Sequence, residues 1–242
     1  MSTIHIGKVI KGLRIQKDMS SQDFLVDNKG AEIQKLLNDL DSCLVRGNIE
    51  RADTIIAELE NNEAFMRDRL NKQYMATAKA AIAASAEKDP AMVICALRDA
   101  LGAEIKNFSE DEIGDYILTK IDSTIINMIA LRYFELEDYE RAAAIYFGLK
   151  KNVEKNCIDK IEKGQRYPVV IFNLTSCLYA EKRYEEAIEL CIIGREACLD
   201  TGYLRRLPNI ALNQACSLLK LGKRDASEEL LRQVYYTFCL HG

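Results

Sequence analysis

Proline is nearly absent from this chain, which has three prolines and twelve glycines in 242 residues. Because both residues interrupt helices and populate turns, their scarcity argues against a fold of short strands joined by many tight turns. The composition, rich in good helix formers, therefore predicts long helices and few strands. With 48% hydrophobic and 29% charged residues, the chain can bury a sizeable core and is expected to be globular.

Histidine is also scarce, since the chain has only His5 and His241. One lies at each end of the chain and neither is near a cluster of cysteines or carboxylates with metal-ligand spacing, so a structural zinc site and a Cys-His nucleophile are not expected. The Walker A, Rossmann, HExxH and GxSxG motifs are missing as well, which leaves no support for a phosphate-binding loop or a hydrolase nucleophile. We expect a protein that is not an enzyme and needs no cofactor.

A long apolar run is the third absence. The N-terminus MSTIHIGKVIKGL lacks the apolar core of a signal peptide, and no stretch approaches the roughly 20 apolar residues that span a bilayer. The eight scattered cysteines form no CxxC pair, which favours buried, reduced thiols over a disulfide framework. We therefore expect a cytoplasmic protein with no membrane partner. The cysteines are Cys43, Cys95, Cys157, Cys177, Cys191, Cys198, Cys216 and Cys239.

Neither sign of charge is in large excess, since 37 acidic and 33 basic residues give a formal net charge of -4. No basic tract dominates, which excludes a protein that coats nucleic acid over its whole surface. A local DNA-reading module remains compatible with this balance.

A short pattern recurs along the chain: an apolar helix, a polar turn, an aromatic or apolar residue, and a small residue three positions later. The clearest copies are Leu136–Ala142 and Ala180–Ala187, with a third at Leu221–Ser227. Weaker copies at Arg46–Ala52 and Lys88–Val93 bring the predicted hairpins to five. Their spacing exceeds the usual period of about 34 residues, which implies longer helices or linkers. The turn residues are Ile49, Pro90, Tyr139, Tyr184 and Arg224.

The small residue of each copy is expected where the second helix of a hairpin approaches the first closely. One turn further on, a larger apolar side chain would fill the space between hairpins, so that the hairpins stack into a continuous core. The predicted small positions are Ala52, Val93, Ala142, Ala187 and Ser227. The predicted large positions are Ile56, Leu97, Tyr146, Cys191 and Leu231.

Helix boundaries follow from the apolar periodicity and from capping residues. Asp89 and Pro90 are expected to open a helix as capping carboxylate and first-turn proline, and Ser109 with Glu112 fits a capping box. The predicted helices are 4–16, 20–26, 30–46, 49–61, 63–87, 90–105, 110–136, 139–155, 158–181, 184–200, 204–221 and 224–239.

From about residue 30 to 240 the predicted array resembles the tetratricopeptide fold. That resemblance implies an all-α protein, a right-handed superhelix of antiparallel helical hairpins, with a repeat domain over residues 29–242. The residues that carry it are Tyr139, Ala142, Tyr146, Tyr184 and Ala187, preceded by Ile129, Ala130, Tyr133, Leu174 and Leu178.

The N-terminal stretch IGKVIKGLRIQKDMSSQDF, residues 6–24, resembles the start of a lambda-repressor-type helix-turn-helix domain. After Phe24 the sequence LVDNKGAEIQKLLNDL departs from that family where a groove-reading recognition helix would follow. We therefore assign residues 1–28 to a remnant of a helix-turn-helix DNA-binding domain. The matching residues are Gly7, Ile10, Leu13, Arg14, Lys17, Met19 and Ser20.

The two parts together are similar to peptide-sensing transcription regulators of the Rgg and PlcR type, which act in quorum sensing. The resemblance implies a dimeric regulator whose repeats bind a short peptide or protein segment, and which contacts DNA if the helix-turn-helix is complete. The alternative is a protein-protein interaction scaffold without DNA binding. On the first interpretation Lys8, Lys11 and Lys17 contact DNA, whereas on the second they form a solvated basic face.

A peptide site is expected on the first helices of the hairpins, because these line the concave side of such a stack. Asparagine suits peptide capture, since its carboxamide can donate to a backbone carbonyl and accept from a backbone amide. The alternative role for these asparagines is helix capping or surface hydration. Arg205 and Arg206, at a predicted helix start, form either an exposed turn or a clamp for a peptide carboxylate. The candidate peptide-binding residues are Asn127, Asn173, Asn209, Asn213, Phe172 and Tyr179.

Overall fold

The computed structural model describes residues 28–85, 89–102, 105, 107–157 and 159–241, and over these residues it contains helices and connecting turns but no strand. The all-α prediction is therefore confirmed. The predicted helices 4–16 and 20–26, and with them Lys8, Lys11 and Lys17, lie outside the described residues. The helices are α1 (Asn28–Arg46), α2 (Ile49–Glu60), α3 (Glu63–Arg67), α4 (Arg69–Ser85), α5 (Pro90–Gly102), α6 (Lys120–Glu135), α7 (Tyr139–Asn156), α8 (Lys160–Ala180), α9 (Tyr184–Thr201), α10 (Leu207–Lys220) and α11 (Arg224–His241).

These helices belong to two compact units. The first contains the described residues up to Phe108 together with Leu118–Arg132, and the second contains Ser109–Ile117 and the described residues from Tyr133 onward. In the first unit α1 packs against α2, and α4 packs against α5. In the second unit each of α7 to α10 packs against the helix that follows it, and α8 also packs against α10. In the described part of the chain, no helix combines the length and the apolarity that crossing a membrane requires.

Four hairpin turns share one backbone geometry. In each, the residue two positions before the second helix has a positive φ between 63° and 75°, and the next backbone N–H donates to a carbonyl five residues earlier at 2.9–3.0 Å. This is the Schellman arrangement that ends helices and satisfies their last carbonyls. The second helices begin at the five residues predicted from the repeat. The residues with positive φ are Gly47, Glu137, Lys182 and Gly222.

The small residues of the repeat are all buried. Ala52, Ala142 and Ala187 have no exposed surface, and Val93 and Ser227 are each 1% exposed. All five positions are therefore buried, as a position that packs against a neighbouring helix requires.

The predicted large positions are buried in four hairpins and exposed in the fifth. Ile56, Leu97, Tyr146 and Cys191 are at most 3% exposed. Leu231 is 38% exposed, so the prediction for it was wrong. On α11 the neighbouring Leu230 is buried instead, because α11 packs against α10 through a single stripe that also contains Val234.

Two predicted helices are interrupted, and a capping side chain explains each interruption. The helix expected over 63–87 breaks at Asp68, whose backbone is extended and whose Oδ1 accepts a hydrogen bond from the Leu70 amide at 2.8 Å. Asp68 thereby caps the start of α4 and competes with continuation of α3.

The helix α5 begins at Pro90, as expected, and the Asp89 carboxylate accepts a hydrogen bond from the Ala91 amide at 3.0 Å.

The second interruption lies in the helix expected over 110–136. Only a short 3-10 turn forms at Glu110–Glu112, and Ser109 makes no capping hydrogen bond with its side chain. The capping box belongs instead to Thr119 and Asp122, because the Asp122 amide donates to Thr119 Oγ1 at 3.1 Å and the Thr119 amide donates to Asp122 Oδ2 at 2.9 Å. The helix α6 therefore begins ten residues later than predicted.

The segment Ser109–Ile117 is held against α7 in the second unit. The Asn152 Nδ2 donates to the carbonyls of Ile113 and Tyr116, at 3.0 Å and 2.7 Å, and the Ile113 side chain is fully buried. A non-helical segment must satisfy its backbone groups, and Asn152 does so here from a helix about 40 positions later in sequence. The segment is thus a folded part of the second unit.

Within the second unit, α8 and α9 form an antiparallel pair on which α10 packs. A Cβ on Gly164, near the start of α8, would lie 2.7 Å from Thr201 Cβ at the end of α9. A Cβ on Gly194 would lie 2.6 Å from Ile171 Cγ2 and 3.3 Å from Ile210 Cδ1, so glycine permits α9 to approach α8 and α10 closely. The helices α8 and α10, which both pack against α9, thereby lie side by side.

Cysteine burial follows the prediction in part. Cys157, Cys177, Cys191 and Cys198 are free and buried, whereas Cys95 is exposed on the outer stripe of α5, so the expectation of burial was wrong there. Burial raises the pKa of the Cys177 and Cys191 thiols to about 12. These two thiols therefore stay neutral at physiological pH.

Candidate functional site

The candidate site is an open strip where α8 and α10 lie side by side. Its side chains recur every three or four residues and are exposed or half-buried, since α9 packs on other sides of both helices. We call this strip the α8–α10 face. Its members are Val169, Phe172, Ser176 and Tyr179 on α8, and Asn209, Leu212, Asn213, Cys216 and Lys220 on α10.

Asn213 joins the two helices at the centre of this face. Its Nδ2 lies 3.2 Å from the Phe172 carbonyl oxygen and 3.0 Å from both Thr175 Oγ1 and Ser176 Oγ. All three acceptors belong to one turn of α8. The amide nitrogen of Asn213 is therefore occupied by contacts that hold α10 against α8.

Arg206 marks one end of the face. Its guanidinium carbon lies 5.5 Å from the centre of the Phe172 ring, a distance typical of a cation–π contact. Burial lowers the pKa of Arg206, and the neighbouring charge of Arg205 lowers it further. Gly164 on α8 lies against Tyr203, just before α10, and Ile171, seven residues after Gly164, meets Gly194 together with Ile210, seven residues after Tyr203. The helices α8 and α10 therefore run in the same direction.

The predicted asparagines fall in different environments. Asn173 is buried with 4% of its surface exposed, because it lies on the packed side of α8, whereas Asn209 and Asn213 are half-buried on the face itself. Asn127 is half-buried in α6 and belongs to the first unit. The structure therefore brings Asn209 and Asn213 to one surface with Phe172, while Asn173 lies beneath that surface.

The two aromatic candidates both lie on α8 and are half-buried. Phe172 lies under Arg206, as described above. Tyr179 lies two turns further along the same stripe, and its ring centre is 5.5 Å from that of Tyr184, in an edge-on arrangement. Tyr179 thus borders the opposite end of the face from Arg206.

Sequence analysis missed Thr175 and Ser176 as partners of Asn213. Thr175 itself is buried, and Ser176 also donates to the Phe172 carbonyl at 2.9 Å. Hydroxyl side chains inside a helix commonly bond the carbonyl four residues earlier, so their presence alone does not indicate an interhelical contact. The sequence did contain one indication of this contact, because two adjacent hydroxyl residues in one hairpin and an asparagine in the next can form hydrogen bonds with each other.

Charge divides sharply between this face and the helix behind it. The helix α8 contains three basic residues and one acidic residue, Glu162, which forms an ion pair with Arg166 at 2.8 Å. Residues 201–224, which include α10, contain five basic and no acidic residues. By contrast, α9 has five acidic residues and one basic residue, Arg195. Lys220 is the charged member of the α8–α10 face, and Arg206 lies beside Phe172 at its other end.

In the portion of the chain covered by the structure, no group of three or more His, Cys, Asp or Glu side chains is arranged to hold a metal ion. Comparison with known protein families gives no matching family model, and comparison with curated proteins also gives no match.

Proposed function

We propose that the chain binds an extended polypeptide segment on the α8–α10 face. The observation that carries the proposal is the combination, on one open strip, of accessible apolar side chains with asparagine carboxamides. Leu212 is 40% exposed there beside Asn209 and Asn213. Apolar side chains of a ligand would pack on Leu212 and Phe172, while the asparagines would pair with its backbone.

The dimensions of the face suit a short segment. Fourteen residues separate Arg206 from Lys220, which at about 1.5 Å per helical residue gives roughly 21 Å. An extended chain advances about 3.4 Å per residue, so about six residues would lie along the face. Asn213 also has a carboxamide oxygen that accepts no hydrogen bond within the described residues, and this atom would accept from a ligand amide.

The repeated turn geometry supports the further proposal that the hairpins form a right-handed tetratricopeptide-like superhelix. Hairpins with equal turns and small residues at equal positions repeat the same packing step, and repetition of one step generates a superhelix. The parallel course of α8 and α10 fits this arrangement, since these are the first helices of successive hairpins.

The resemblance of residues 6–24 to a helix-turn-helix supports the additional proposal that the chain is a dimeric transcription regulator controlled by the bound peptide. In this account the ligand would shift the population of repeat conformations and change how two N-terminal segments meet DNA. The alternative function, a scaffold for a protein partner without DNA binding, uses the same face.

Peptide binding is tested with random eight-residue peptides displayed on phage and selected against the purified chain. An enriched peptide is then titrated by fluorescence anisotropy. We expect Leu212→Ala to weaken its binding about tenfold, because a central apolar contact is worth roughly 1–2 kcal/mol. The matched control is Ile192→Ala on the outer side of α9, where the side chain is 43% exposed, and its binding should be unchanged.

Failure to enrich any peptide, or equal binding by both variants, would contradict the proposal. Asn213→Ala is not a suitable probe, because removing its hydrogen bonds to α8 would also loosen the face.

The proposal that the chain is a transcription regulator is tested separately, by measuring how the chain binds to the DNA upstream of its gene at several salt concentrations. A regulator should bind with an affinity that falls steeply as salt rises, because phosphate contacts release counterions. Absence of binding even at low salt would leave the scaffold as the function.

A further inference from the structure

The connection between α5 and α6 is much longer than the later connections between hairpins. Seventeen residues separate Gly102, the last of α5, from Lys120, the first of α6, whereas three separate α7 from α8 and five separate α9 from α10. In compact domains, connections longer than about 12–15 residues are uncommon and usually serve a function. Residues Ser109–Ile117 of this connection belong to the second unit and lie against α7. We call them the strap.

The strap has one apolar anchor. Ile113 is fully buried, and a Cβ on Gly148 of α7 would lie only 2.9 Å from the Ile113 Cβ, so this glycine leaves the space that the anchor occupies. The next strap residue, Gly114, is buried against the Lys151 side chain, which a Cβ at that position would meet. This side of α7 therefore accepts an apolar residue followed by a small one.

The backbone of the strap is held by two carboxamides of α7. The Asn152 Nδ2 donates to the carbonyl oxygens of Ile113 and Tyr116 at 3.0 Å and 2.7 Å. The Asn156 Nδ2 donates to the Tyr116 carbonyl oxygen at 3.1 Å. The two asparagines are four residues apart and so lie on one side of the helix. Since these contacts involve only the main chain of the strap, another segment with the same turn would make them equally well.

The charges of the strap and of α7 are complementary. The strap contains four acidic residues and no basic residue. Asp115 forms ion pairs with Lys151 at 2.9 Å and with Lys155 at 3.2 Å. Glu110 forms an ion pair with Arg141 at 3.0 Å. Exposed ion pairs such as those of Asp115 add little to stability, but they favour an acidic segment over a basic one.

Little of the strap is buried. Of its nine residues only Ile113 and Gly114 are buried, and Ile117 is 93% exposed. Segments with few buried apolar contacts open at a much smaller cost in free energy than unfolding of the whole domain requires. We therefore expect the strap to leave α7 more readily than the helices of the second unit unfold.

We propose that the side of α7 beneath the strap is a second polypeptide-binding site, and that the strap blocks it until a partner segment of the same chemistry takes its place. The partner segment has an apolar residue, then a small one, then an acidic one, as in Ile113, Gly114 and Asp115. This site is separate from the α8–α10 face, since its residues lie on α7. Only chains with an open strap bind the partner, so the apparent affinity falls with the fraction of open chains.

The probe is a synthetic peptide with the sequence of residues 108–118, FSEDEIGDYIL, and an N-terminal fluorophore. Fluorescence anisotropy with the full chain measures its binding. Ile113→Ala in the chain removes the anchor of the strap and leaves α7 unchanged. We expect this variant to bind the peptide at least tenfold more tightly than the unmodified chain, because loss of the buried side chain favours the open strap. The matched control is Ile193→Ala on α9, where the side chain is 43% exposed, and it should bind as weakly as the unmodified chain.

Three further comparisons identify where the peptide binds. A peptide with alanine at the position of Ile113 should bind the Ile113→Ala chain at least tenfold more weakly than the original peptide. Adding Lys151→Glu to that chain should weaken binding at least fivefold, because the new carboxylate repels Asp115 of the peptide. Adding Leu212→Ala instead should leave binding unchanged, because Leu212 lies on the α8–α10 face.

Circular dichroism at 222 nm establishes whether each variant retains its helices. If Ile113→Ala loses them, Asp115→Asn takes its place, since Asp115 is exposed, and it should bind the peptide at least threefold more tightly than the unmodified chain. The proposal is overturned if the folded strap variant binds no better than the unmodified chain, or if the alanine peptide binds as well as the original. Loss of binding on adding Leu212→Ala would also overturn it, because the peptide would then lie on the α8–α10 face.

Discussion

Replacing Tyr146 with alanine is expected to lower the free energy of unfolding of the second unit by about 3–5 kcal/mol, the usual cost of removing a buried aromatic ring. Tyr146 has no exposed surface and is among the largest fully buried side chains in the described part of the chain. It lies one turn after Ala142 on α7, at the position predicted to fill the space between hairpins. The substitution would leave a cavity that rigid helices close only in part.

Urea denaturation followed by circular dichroism at 222 nm measures this loss. The matched control is Tyr235→Ala on α11, where the side chain is 65% exposed and the change should stay within about 0.5 kcal/mol. Comparable losses in the two variants would show that Tyr146 does not fill the core in the way described.

The second large effect concerns the small residue itself. Ala142→Leu is expected to destabilise the second unit by about 1–3 kcal/mol or more, because three added carbon atoms have no space where Ala142 is fully buried. Ala144, two residues later on the same helix, is exposed. Ala144→Leu adds the same atoms toward solvent and should change the stability by less than about 0.5 kcal/mol.

The same urea titration measures both leucine variants. If Ala142→Leu were as stable as Ala144→Leu, close approach of the paired helices would not depend on a small side chain. The repeat pattern from which the hairpins were predicted would then lack its physical basis.

Most of the fold was predictable because its signals are local. A hairpin needs a polar turn, an apolar periodicity and a small residue near the start of its second helix, and all of these are visible within about ten residues of Tyr139 or Tyr184. The sequence did not reveal that Glu137 and Lys182 adopt the left-handed conformation, since glycine is the usual residue there. In both hairpins a residue other than glycine takes the positive φ of the turn, and the small residue that follows in the second helix, Ala142 or Ala187, is fully buried.

The errors arose where a side chain made a contact that sequence spacing does not encode. Asp68 and Thr119 interrupt or delay helices by bonding to nearby backbone, in competition with an otherwise continuous apolar pattern. The non-helical segment before α6 depends on Asn152, which is far away in sequence. Only tertiary structure brings such partners together.

The candidate site was predictable to the level of its helices but not of its contacts. Asn213 was selected for its ability to bind a peptide backbone, and the structure shows its nitrogen engaged with α8. Asn173 is buried because neighbouring helices cover its side of α8. The sequence alone does not tell which sides of a helix its neighbours will cover. The contact between Arg206 and Phe172 joins residues 34 positions apart, which repeat periodicity alone does not pair.

The most direct test of polypeptide binding is methyl nuclear magnetic resonance of the chain labelled at isoleucine, leucine and valine. An enriched phage peptide is added, and the shifts of Val169 and Leu212 on the α8–α10 face are compared with those of Ile192, Ile193 and Leu199 on the outer side of α9. Binding on the proposed face predicts large shifts at Val169 and Leu212 and small ones at the other three. Shifts confined to the three α9 residues would contradict the account.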